Sequence, residues 1–305
     1  MGTTRLPRTR FAHRGAARLA YDPGDPPAGA ADAPVVLLLH DLLADRSSLA
    51  ALQDAFAAHY RVIAPDARGH GASASLVNQW YTVGELAADA IAILDAEQVV
   101  ACHVAGHGLG GAVAIELARR DPGRTHSLVL IEPSVFAVLD SDPDPAVRAS
   151  RQERREQDRA AGDLAYKGLT EKALDAYLTP RWGDGWRSRM SRSQLATLYR
   201  HAGALAALLP ALDAYDFSPA SAAEVQVRTL ILAGEGAPLN DQAARRLATL
   251  LPYAEFVQLP GVASFQPANG AALAAAGDAI ARFLGWGLGS SDQPSAVRCQ
   301  PSVNP

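Results

Sequence analysis

The sequence predicts a doubly wound α/β fold: a mostly parallel eight-stranded sheet with helices on both faces and an inserted helical cap. Three observations point there. Five short apolar runs lack the polar alternation of a half-exposed strand, as expected of strands buried on both faces. Helix-period segments separate those runs. Residues 135–226 then interrupt the alternation with helical pattern alone.

Taken in order, residues 11–21 read as two strands around a turn at Gly15. Val35-Val-Leu-Leu-Leu39 is the third strand and residues 48–57 the first helix. The fourth strand is 60–64, and the next helix, 83–94, is opened by Thr82-x-x-Glu85 in capping-box spacing. Strand 99–105, helix 109–120 and strand 127–131 follow. The cap begins with a charged stretch, 148–159, in which Arg151-Gln-Glu-Arg-Arg-Glu156 reads as a solvated helix face with i,i+3 and i,i+4 pairs. Strand 228–233, helix 241–251, strand 255–259 and helix 270–284 complete the core. The expected organisation is a core of residues 1–134 and 227–288, a cap of 135–226, and a disordered tail over 289–305, where Gly, Ser, Gln and Pro dominate.

Composition narrows the function. The 305 residues are 49% hydrophobic and 20% charged, which is ordinary for a globular chain. A net charge of -4 argues against nucleic acid as a partner, because phosphate binding needs clustered Lys and Arg. Two cysteines, Cys102 and Cys299, fit a reducing compartment, so the cytoplasm is expected. Five arginines in the first twenty residues are followed by no apolar stretch of the kind a secretory signal needs, and no apolar run is long enough to span a membrane. His, Cys and Asp show no metal-ligand spacing, and no cofactor is expected. The cap holds eight of the nineteen aromatic residues, among them Tyr177, Trp182 and Trp186, which suits the roof of an apolar pocket.

Four segments carry a family resemblance: His40-Asp41, Asp66-Ala-Arg-Gly-His-Gly-Ala-Ser73, Ala105-Gly-His-Gly-Leu-Gly-Gly111, and Leu232-Ala-Gly-Glu-Gly-Ala-Pro-Leu239 through Leu259-Pro-Gly-Val-Ala-Ser264. In order and spacing the chain resembles the α/β-hydrolase superfamily from about Phe11 to Leu284, cap included, and the resemblance implies the α/β-hydrolase fold. It also implies a Ser-Asp-His triad, with the serine on a strained elbow in a G-x-S-x-G turn. Here Gly108 stands at the serine position, Ala237 at the acid position and Ser264 at the histidine position. The eight histidines are His13, His40, His59, His70, His103, His107, His126 and His201, so no shift of register recovers the family's late histidine. Loss of the nucleophile alone costs a serine hydrolase about a million-fold in kcat, so ordinary acyl-enzyme hydrolysis is expected to be absent.

The resemblance places oxyanion-hole amides at Leu42 and Leu109. Asp41 stands where relatives usually carry glycine. Either its carboxylate faces the pocket, where it would repel an oxyanion, or it points away and caps the helix near Ser48. Gly108 frees the elbow of the strain a side chain would bear at positive φ. The pocket is expected to involve Asp41, Leu42, His107, Gly108, Leu109, Tyr177, Trp182 and Trp186, with Asp41 and His107 the candidates for chemistry.

Competing readings accompany these residues. Gly106-x-Gly108-x-x-Gly111 followed by Glu132 matches a dinucleotide fingerprint, but two βα units precede it, whereas such a fingerprint normally opens its domain. His40 and His70 read as turn histidines bonded to backbone, Asp66 with Arg68 as a turn brace, His201 as a surface residue, and Glu132 as a hydrogen-bonding residue. Three function classes follow. The first is a pocketed pseudoenzyme binding a small apolar ligand or a partner protein. The second is a lyase, isomerase or cyclase using Asp41 and His107, and the third is a hydrolase with a displaced triad.

Overall fold

The computed structural model describes residues 8–73, 81–262 and 270–285. The Ser264 position and the 289–305 tail lie outside them. Strands β1 (Arg10–Arg14), β2 (Ala17–Asp22), β3 (Val35–Leu39), β4 (Arg61–Pro65), β5 (Cys102–His107), β6 (Thr125–Ile131), β7 (Arg228–Ala233) and β8 (Ala254–Gln258) form one sheet in the order β1-β2-β4-β3-β5-β6-β7-β8. β1 and β2 pair antiparallel, β2 joins β4 antiparallel, and the other pairings are parallel.

The missing alternation in the strands has a direct cause. Leu37, Leu39, Val104, Leu128, Leu130 and Ile231 bury into one apolar cluster, while Val36, Leu38, Ala105, Val129, Leu230 and Leu232 bury into a second on the opposite face. Helices α1 (Ala50–Ala57) and α10 (Gly270–Leu284) cover the second face; α2 (Val83–Ala96), α3 (Leu109–Arg120) and α9 (Pro238–Leu250) cover the first. Thr82 and Glu85 complete the capping box at the start of α2, each bonding the other's backbone N–H.

Between β6 and β7 only helices occur: α4 (Pro145–Tyr166), α5 (Thr170–Trp182), α6 (Arg192–His201), α7 (Ala204–Asp213) and α8 (Pro219–Ala223), with short 3-10 turns. The charged run of α4 is only in part the solvated face the sequence predicts: Gln152, Glu153 and Glu156 are exposed, and Gln152 donates to Glu156 at i,i+4. Arg151 is buried and bonds Asp140 and Asp213, and Arg155 and Arg159 also converge on Asp213 at the end of α7. A stripe that begins at Val147 and ends at Ala161, both buried, passes through Arg151, Arg154 and Asp158. Arg151 and Arg154 therefore stand on the core-facing side of the helix, and Asp213, with Asp140, accepts from Arg151, Arg155 and Arg159.

His201 is also buried, not on the surface. Its Nε2 accepts from the Gly71 N–H at 3.0 Å, tying cap helix α6 to the loop after β4. Its ring lies 5.1 Å from His70, which lies 5.2 Å from His40.

Candidate functional site

The elbow sits where β5 ends and α3 begins. Gly108 has φ 53 and ψ -113, the sparsely populated conformation that costs a side-chain-bearing residue about 1–3 kcal/mol. Its N–H donates to Ile131 O at 3.0 Å, and its carbonyl accepts from Ser134 N at 2.9 Å, so neighbouring strand ends hold the turn. The flanking glycines have packing reasons of their own. A Cβ on Gly106 would lie 2.2 Å from Gly110 O, and one on Gly110 would lie 2.3 Å from Leu39 O. The close approach of α3 to β3 and β5 accounts for the glycine pattern without a dinucleotide.

Asp41 faces the pocket. Its Oδ1 accepts from both Leu42 N and Leu109 N at 2.7 Å, the short distance of charge-assisted bonds, so the two expected oxyanion-hole amides converge on one carboxylate oxygen. A Cβ added to Gly108 would fall 1.9 Å from that same oxygen. The carboxylate therefore occupies the donors and the volume a nucleophile would need. The alternative of a helix cap is excluded, because Asp45 caps the following turn by accepting from Ser47 N.

Buried imidazoles brace the loop carrying Asp41. His40 donates from Nδ1 to Asp41 O at 2.7 Å and accepts from Ala67 N at 2.9 Å. His70 Nε2 accepts from Leu43 N, and Leu43 adopts φ 62, a left-handed turn that aims the Leu42 N–H inward. Burial, and then the neighbouring His40, hold His70 well below the usual imidazole range, so it stays a neutral acceptor. Asp66 accepts from Arg46 and Ala72, and Arg68 forks onto buried Asp89; both brace the β4 loop.

A cavity of about 200 Å³ opens between this floor and the cap. Of the residues expected around it, Asp41, Leu42, His107, Tyr177 and Trp182 line it. Gly108 and Leu109 lie behind the Asp41 carboxylate. Trp186 is a correction: it is buried within the cap, its indole N–H donating to Asp175 at 3.2 Å and its ring packed edge-on to Trp182. The short turn after left-handed Gly185 folds it inward, away from the cavity.

The lining is also more polar than the cap's aromatic content suggested. Glu132, at φ 43, accepts from Gly234 N at 3.2 Å and lines the floor with Asn240. Ala237 contributes to the wall; the nearest carboxylate in its segment, Glu235, turns away to accept from Gly261 N. Arg154 and Arg181 form part of the roof. Sequence reasoning missed both arginines. The signal was the spacing of Arg154 and Asp158 on the stripe anchored by Val147 and Ala161, and the position of Arg181 between Pro180 and Trp182. Burial, with Arg181 adding its charge, pulls the Arg154 guanidinium down to about 10, still a cation at neutral pH. Burial raises the pKa of the Tyr177 hydroxyl; Arg181 pulls it back and Asp41 adds to the rise. Among the described residues no cluster of His, Cys, Asp and Glu is arranged to hold a metal, and no single helix is long and apolar enough to cross a membrane.

Comparison with known proteins agrees with this fold. The chain is 45% identical over 74 residues to a Variovorax paradoxus protein named carbamate hydrolase RutD, a stretch covering 24% of this chain and only 28% of that protein's length. The Caulobacter vibrioides protein of the same name is 30% identical over 232 residues, 74% of this chain and 81% of its own. A hydrolase from Pseudomonas aeruginosa PA01 has a similar solved structure, with a TM-score of 0.73 and 26% identity over 91% of this chain and 98% of that one. Residues 35–276 match the model of the alpha/beta hydrolase family, and with the eight-stranded sheet, the elbow and the cap in place, the chain belongs to that family.

Proposed function

We propose that this chain is a non-hydrolytic member of its family, a pseudoenzyme that binds a small organic molecule in the cavity between sheet and cap. One observation carries the reading. Asp41 Oδ1 accepts both amides on which an acyl-transfer oxyanion would depend, and its carboxylate fills the space of a side chain at residue 108. A second negative oxygen forced in beside it would meet repulsion of several kcal/mol in a site of low effective dielectric. Gly108, Ala237 and Ser264 in the three triad places support the same reading. The reading calls for no cofactor, nucleic acid or membrane, and it fits a reducing, cytoplasmic setting.

Carbamate hydrolysis, as named for the RutD relatives, is the rival from homology, and it requires a displaced triad. A lyase, isomerase or cyclase is the second reading, favoured by Asp41 and His107 lining one cavity. Hydrolysis of p-nitrophenyl acetate by the purified protein should not exceed a heat-inactivated control, and a fluorophosphonate probe should leave no adduct in the intact mass. Turnover abolished by that probe would restore the hydrolase. Turnover of any substrate that is lost in both Asp41→Asn and His107→Gln would establish the second reading.

A further inference from the structure

Five arginines stand on α4, and four of them hydrogen-bond to oxygen. Arg148 bonds the carbonyls of Asp142 and Pro143, while Arg151, Arg155 and Arg159 bond Asp140 or Asp213. Arg154 is the exception. Its partner among the described residues is Asp158, whose Oδ2 lies 3.4 Å from the buried Nε, an ion-pair distance without hydrogen-bond geometry. Asp158 is shared, since Arg181 also bonds it, and the Arg181 Nε is likewise buried without an acceptor. The two guanidiniums are 15% and 10% exposed and lie in the cavity roof.

Within the roof itself two cations share one carboxylate, Asp158. Asp41 and Glu132, across the cavity, keep their charges although they accept from the Leu42, Leu109 and Gly234 amides, but neither forms an ion pair with the arginines, so the excess of positive charge is local to the roof. Burying an unpaired cation is costly, and natural proteins keep such groups where something else supplies the counter-charge. The guanidiniums are also held in place: Arg181 lies 3.6 Å from the centroid of the Tyr177 ring, and Arg154 lies 5.0 Å from that of Phe136.

We infer that Arg154 and Arg181 form an anion-binding subsite, and that the cavity takes a small organic carboxylate whose apolar body lies against Phe136, Tyr177 and Trp182. This inference rests on the reading of the cavity as a binding site. A monoanion meets the two guanidiniums of the roof with less repulsion from Asp41 and Glu132 than a dianion would. The planar guanidinium suits a carboxylate in geometry as well as charge.

Calorimetric titration with phenylacetate, phenylacetamide and inorganic phosphate tests it on the full chain. Phenylacetate should bind at least about tenfold more tightly than the amide of the same shape, the discrimination expected of hydrogen bonds to a charged group. Arg154→Gln should remove most of that preference and Arg154→Lys should keep part of it, with folding of each checked by circular dichroism. Equal affinity for acid and amide in the native protein would overturn the anion subsite and leave the cavity reading standing. Binding of neither organic probe would overturn both. Phosphate binding more tightly than phenylacetate would overturn the carboxylate assignment. The comparison of acid with amide needs no variant, so it stands even if a substitution fails to fold.

Discussion

Replacing Gly108 with serine should destabilise the protein through two separable effects, and Asp41 is what separates them. The backbone at φ 53 and ψ -113 charges any side chain about 1–3 kcal/mol. The new Cβ would also fall 1.9 Å from Asp41 Oδ1, so the carboxylate must leave the Leu42 and Leu109 amides. Hydrogen bonds to a charged group contribute about 1.5–3 kcal/mol each, but a displaced carboxylate recovers part of this by turning toward the cavity, so a net loss of about 2–3 kcal/mol is expected. Gly108→Ser alone should then cost about 3–6 kcal/mol. In an Asp41→Ala background only the backbone strain remains, and the cost should fall to about 1–3 kcal/mol. Urea midpoints of the wild type, both single variants and the double variant complete the cycle. A coupling energy near zero would refute the argument that the carboxylate occupies the nucleophile's space. A Gly108→Ser variant as stable as wild type would refute the positive φ as well. Neither serine-bearing variant should hydrolyse p-nitrophenyl acetate, since no histidine follows residue 201 in the chain to take the serine's proton.

Acid should weaken the fold through a half-buried imidazole, His103, and a buried one, His70. Burial, then His126, hold His103 at about 4, and His70 is also lowered, so both are neutral when folded and take up protons on unfolding below about pH 6.5. The His103 contribution is thus complete above that pH and is lost as pH falls toward about 4, and the His70 contribution is lost in the same direction. Urea midpoints at pH 7 and pH 5 should show the drop, and a His103→Gln variant with an undiminished drop would remove that residue from the account. Asp213→Asn, by removing the charge shared by Arg151, Arg155 and Arg159, should cost about 1–3 kcal/mol and expose the cap first to limited proteolysis. Cleavage that still begins in the core would contradict that order. Burial pushes the Cys102 thiol up to about 12, so iodoacetamide should label it only after unfolding; peptide mapping that finds Cys102 modified in the native protein would show that the strand opens.

The alternation of apolar strands and periodic helices was local information, and local reasoning sufficed for it. Strand β3 at Val35–Leu39, helix α3 at Leu109–Arg120 and the capping box at Thr82 stand where the chain's own pattern put them, because each depends on residues within a few positions of one another. Gly108 at the elbow and glycine at 106 and 110 were legible for the same reason. The orientation of Asp41 was not. Whether its carboxylate turned inward depended on the Leu109 amide, 68 residues away, and on the His40 and His70 rings that set the loop. The charged run of α4 has a solvated side, with Gln152, Glu153 and Glu156, and a buried ionic side at Arg151, and composition does not separate the two; the packing of α7 and its Asp213 against that helix does. Trp186 and Trp182 are four residues apart, yet one fills the cap's interior and the other the cavity wall. Sequence determined that the elbow carries no side chain at residue 108, since a glycine is a local fact. Tertiary structure alone decided that the Asp41 carboxylate lies beside it, because a pocket's charge is the sum of groups that the chain brings together from distant segments.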